Sequence, residues 1–141
     1  MQNDFEGHAD AKLLRIWAEV EPLIERHEDA IRRWQPQWRA DAEYRAALKW
    51  PVSDADIEAC HQRAERNFPA TAPHPDDVTK IMHPYMDRIL ALPAHTIDGL
   101  KVKARAAKFA CQNYWDDSDD DADWDTLYAR KLIDAVLTMA A

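Results

Sequence analysis

The chain has 141 residues, 47% of them hydrophobic, with two glycines, six tryptophans and two cysteines. That length suits one domain whose core needs neither metal nor disulfide, and so few glycines beside abundant Ala, Leu, Glu and Arg favour helices over turn-rich sheet. The formal charge of −8 is concentrated in residues 116 to 125, DDSDDDADWD, whose seven aspartates leave the remainder near neutral; no basic footprint exists for phosphates, so direct nucleic-acid binding is excluded.

Residues 1 to 9 have acids and no Lys or Arg, are expected to be disordered, and do not resemble a signal peptide. No window approaches the ~20 apolar residues of a membrane span, and a cytoplasmic protein with no membrane contact is expected. The longest periodic run is Asp10 to Trp34, where Leu13, Trp17, Val20, Ile24, His27, Ile31 and Trp34 recur at alternating steps of four and three. Pro22 lies opposite this stripe and predicts a kink rather than a break. Gln35 and Pro36 predict a turn, followed by a shorter helix from Gln37 to Lys49 with Ala40, Tyr44, Ala47 and Leu48 inside, ended by Trp50 and Pro51.

Ser53, followed by Asp54 and Asp56, is a good helix start. The next helix is expected to bury Ile57, His61, Ala64 and Phe68 and to stop at Pro69. After a stiff connector, Pro69 to Pro75, the spacing of Val78, Met82, Tyr85, Ile89 and Leu92 predicts another helix, with Pro84 opposite its apolar face. Thr96 should cap a helix from about Ile97 to Tyr114, apolar on two faces and therefore central: Ile97, Leu100, Ala104, Ala107, Cys111 and Tyr114 form one stripe, and Val102, Ala106 and Phe109 the other. A last helix opens near Asp120; its broad face of Trp124, Leu127, Tyr128, Leu132, Ile133, Val136 and Leu137 should be well covered. The expected fold is all-α, a bundle of five or six helices forming one domain, with an acidic loop at 116 to 123.

The run Leu92 to Phe109, LPAHTIDGLKVKARAAKF, resembles a "P-A-T-T-x-x-G-L-x-x-K-A-R-A" motif of small uncharacterised alphaproteobacterial proteins, some of them prophage-linked, and Leu127 to Leu137 is similar to the segment that follows it there. His95 stands where the motif has threonine. The resemblance implies a bacterial or phage source and a helical fold; it assigns no activity and no catalytic residue.

Motifs with chemistry are sparse. A carboxylate-bridged di-iron bundle needs two Glu-x-x-His motifs, and there is one, Glu58 to His61. His27-Glu28 begins a zincin-like motif that fails at Ile31. The acidic run fails as a calcium loop, with Ala122 or Trp124 where glycine belongs and Tyr128 or Arg130 where the bidentate glutamate belongs. No catalytic, cofactor or metal residue is therefore assigned. His27 and His61 read as core residues, and Cys60 and Cys111 as reduced apolar ones. Gly99, in the first turn of the central helix, costs about 1 kcal/mol relative to alanine; close packing explains it better than an anion site, which Asp98 would oppose.

The best candidate for a partner-binding site is Trp115, Asp116, Asp117, Asp119, Asp120, Asp121, Asp123 and Trp124, two aromatics bracketing acids. The leading expectation is a non-catalytic interaction or regulatory protein, with surplus apolar surface pointing to a homodimer. The alternatives are an acidic decoy presenting Asp116 to Asp125 to a nucleic-acid-binding protein, and an enzyme on a helical bundle.

Overall fold

The computed structural model describes residues 5–67, 73–112, 115 and 118–140. Among these the protein is all-helical, with five helices and no strand: α1 (Ala11–Ala46), α2 (Asp54–Asn67), α3 (Pro75–Ala91), α4 (Ile97–Ala110) and α5 (Trp124–Thr138). None is long and apolar enough to cross a membrane. The chain divides into two compact units, Met1–Pro22 with Met82–Ala141, and Leu23–Ile81. Chain connectivity takes α1 and α3 from one unit into the other.

The first helix departs from expectation at its middle. Gln35 and Pro36 do not turn; α1 runs unbroken through both Pro22 and Pro36 for 36 residues. Both prolines are exposed. A proline removes one amide and crowds the carbonyl four residues back; for Pro36 that residue is the exposed Arg32, so water can satisfy the freed group.

In the first unit the core consists of Leu13, Ile16, Trp17 and Val20 from α1, Met82, Met86 and Ile89 from α3, and Val102, Ala104 and Ala106 from α4. The four-three spacing of α1 and α3 is thus the core-facing pattern. On α4 the second stripe is the better covered: Val102 and Ala106 are buried and Phe109 half-buried, whereas of the first stripe only Ala104 is buried, Ile97, Ala107 and Cys111 are half-buried and Leu100 is exposed; Gly99 is buried as well. The helix ends at Ala110, capped by Cys111, rather than continuing toward Tyr114, which lies outside the described residues.

The second unit buries Ala30, His27, Cys60 and Val78. Ser53 begins α2 as expected: its Oγ accepts from the Asp56 amide at 3.1 Å, and Asp56 Oδ2 accepts from the Ser53 amide at 3.1 Å, a reciprocal cap. The inward face of α2 is not the expected one. Of the expected residues Ala64 is half-buried, but His61 and Ile57 are exposed, while Cys60 is buried and Arg63 half-buried, its guanidinium 4.5 Å from the centre of the Tyr44 ring. Such a cation over an aromatic face lets a charged residue occupy a packed position. Phe68, also expected on that face, lies outside the described residues. His27 is buried, as its place in the α1 stripe implied, and desolvation holds its pKa below the ordinary histidine value despite the nearby Glu28 and Asp76.

Candidate functional site

Two constructions in the first unit bear on function, and the first concerns how α4 is anchored. Phe5 to Ala9, expected to be disordered, make turns, with the His8 amide donating to the Phe5 carbonyl at 3.0 Å; residues 1–4 lie outside the described set. Asp10 then turns inward and is only 3% exposed. Its carboxylate accepts from the amides of His95 at 3.0 Å and Thr96 at 2.8 Å, and from the Thr96 hydroxyl at 2.6 Å. Thr96 Oγ1 in turn accepts from the Gly99 amide at 3.1 Å. A helix start presents unsatisfied amides and a positive dipole end, and here the chain supplies its own anion. The hydroxyl bond from Thr96 is the largest influence on Asp10, followed by burial, which opposes it; with the two amides, the net effect is a lowered pKa.

Gly99 is explained by the same group. A Cβ at that position would collide with Asp10 Oδ2 and lie 2.5 Å from its Cγ. The glycine admits a carboxylate rather than a neighbouring helix, so the anion that approaches these amides is intramolecular.

The second construction is α5 and the turns ahead of it. Asp116 and Asp117 lie outside the described residues. Asp119, Asp120, Asp121 and Asp123 are exposed. Asp119 pairs with Arg130 at 3.2 Å, and Asp121 accepts from the Ser118 hydroxyl at 2.7 Å. Asp123 occupies the N-cap position of α5 without a side-chain bond to the helix. Its charge still complements the dipole there.

The two tryptophans are not equivalent. Trp115 is half-buried, lies beneath the Lys108 ammonium at 5.6 Å, and lines a cavity of about 220 Å³ with Cys111, Arg130 and Ile133. Trp124 is 74% exposed and stacks edge-on with Tyr128, ring centres 5.9 Å apart. It opens a stripe on α5, continued by Tyr128 at 67% exposure, Leu132 at 68%, the exposed Ala135 and, just past the helix end, Met139 at 44%.

This overturns the expectation that the broad face of α5 is well covered. The helix packs on α4, with Lys108 and Asp134 joined at 3.3 Å, yet none of its residues is fully buried. Leu127, Ile133, Val136 and Leu137 are half-buried, whereas Trp124, Tyr128 and Leu132 remain in water. Sequence reasoning placed Trp124 in the candidate site but missed Tyr128 and Leu132, whose four-residue spacing from it was the available signal.

Among the described residues no group of three or more His, Cys, Asp or Glu could hold a metal ion. Comparison with protein-family models, curated proteins and solved structures finds no match for this chain.

Proposed function

We propose that this chain is a non-catalytic protein-interaction or regulatory protein whose contact surface is the outer face of α5. The observation that carries the reading is the stripe of Trp124, Tyr128 and Leu132, each about two thirds or more exposed. From ring areas of 150 to 250 Å² and these exposures, the stripe with Met139 leaves roughly 500 Å² of apolar surface in water. A patch of that size is at the upper end for monomers and often marks a contact site. Tryptophan and tyrosine are also the side chains that anchor interfaces, while neighbouring aspartates supply a charged rim.

The acidic decoy is the second reading, supported by the exposure of Asp119 to Asp123; the pairing of Asp119 with Arg130 and of Asp121 with Ser118 tells against it. The likeness of Leu92 to Phe109 to alphaproteobacterial proteins supports a bacterial or phage setting. The test is cross-linking in host lysate with the native chain, Leu132→Asp, and Asp119→Asn with Asp121→Asn. The native cross-links should be lost in Leu132→Asp and retained in the double asparagine variant. The reverse pattern would transfer the function to the acidic run.

A further inference from the structure

We infer that the partner on the α5 face is a second copy of this chain, docked through an antiparallel pairing of the two α5 helices; the inference rests on the contact-surface reading above. Three features point to it. The first is area: roughly 500 Å² on each copy brings the pair to roughly 1,000 Å² from four side chains apiece, the threshold of a specific interface before flanking stems are counted.

The second is the distribution of size along the stripe. Its large rings, Trp124 and Tyr128, lie in the N-terminal half, and Ala135 and Met139 follow Leu132 toward the C-terminus. An antiparallel pairing sets Trp124 against Met139 and Tyr128 against Ala135, with Leu132 beside the two-fold axis. Each ring then meets a smaller side chain, and each such contact occurs twice by the two-fold symmetry. A parallel pairing would stack ring on ring at one end and leave a gap at the other.

The third is charge. Asp120, Asp121, Asp123 and Asp125 form an acidic cluster leading into the N-terminal end of α5, whereas Asp119 is paired with Arg130, and the last turn of the helix carries no charge of either sign. Side by side, two such clusters would repel. Antiparallel pairing separates them by the length of a 15-residue helix, about 22 Å at 1.5 Å per residue, well beyond the screening length of about 8 Å at physiological salt. The helix dipoles are also opposed in this arrangement.

The full chain is examined by sedimentation equilibrium from about 1 to 100 μM, where a mass twice 16.3 kDa is expected. Leu132→Asp should raise the dimer dissociation constant more than about a hundredfold, because each substitution acts twice, with unchanged helical circular dichroism. Orientation is read in a Cys111→Ser background with a short bis-maleimide: Lys131→Cys, near the axis, should cross-link to its copy, and Asp125→Cys should not. Cross-linking of Asp125→Cys alone would overturn the antiparallel arrangement. A dimer that survives Leu132→Asp would overturn the α5 contact. A native chain that is monomeric throughout overturns self-pairing yet leaves the contact-surface reading standing; that reading falls separately if Leu132→Asp also leaves the lysate cross-links unchanged.

Discussion

Replacing Gly99 by alanine tests whether the Asp10 carboxylate is what shapes the start of α4. The added methyl must displace a carboxylate held by two amides and a hydroxyl. Hydrogen bonds to a charged group are worth about 1.5 to 3 kcal/mol each, with neighbours far from additive, so losing this set should cost about 3 kcal/mol. Alanine returns about 1 kcal/mol through helix propensity, leaving Gly99→Ala destabilised by about 2 kcal/mol. Asp10→Ala should cost about 3 kcal/mol by the same reasoning. In the Asp10→Ala background the clash is gone, and Gly99→Ala should become stabilising by about 1 kcal/mol. The coupling is therefore about 3 kcal/mol, measurable by urea unfolding followed at 222 nm and pH 7. Equal effects of Gly99→Ala in both backgrounds would refute the reasoning.

The ionisation of these groups sets the pH dependence of stability. The pKa of Asp10 is lowered on folding, so its contribution is complete above the unfolded carboxylate value and fades as pH falls through the folded one; Asp10→Asn should flatten the acid limb of a stability–pH curve below about pH 4. His27 is also lowered, so the unfolded chain takes up its proton first and stability should drop as pH falls below about 6.5, a loss that His27→Gln removes. Removing the exposed Asp119 by Asp119→Ala should shift stability by less than about 0.5 kcal/mol in thermal unfolding, because exposed ion pairs contribute little. In the native protein Cys111, half-buried, should react with a thiol reagent well before the buried Cys60; equal rates would show that α2 does not seal the Cys60 thiol.

The parts of the fold legible in the sequence were those where one apolar stripe faces one core. Leu13, Trp17 and Val20 on α1, and Val78, Met82 and Ile89 on α3, are buried as their spacing implies. The face of α2 was harder to read because Arg63 scores as polar while its guanidinium covers Tyr44. Pro36 misled because a proline's cost depends on what its missing bond leaves exposed, and that is a property of the folded helix. The bond between Asp10 and Thr96 joins residues 86 positions apart; no local pattern announces it, although an unexplained glycine in a first helical turn marked the place. For α5 the hydrophobic positions were plain, but periodicity does not say which of them another part of the chain will cover.

Because α5 leans on α4 without one fully buried side chain, it is held less firmly than the helices that build the core. Regions with few buried apolar contacts open at lower free energy than the global transition, so amide exchange along α5 should be fast in dilute protein. Burial of its outer face by a partner would slow that exchange, since an interaction made only by the closed helix stabilises it by mass action. Protection of this one helix would then rise with protein concentration, while that of α1 and α3 stays fixed.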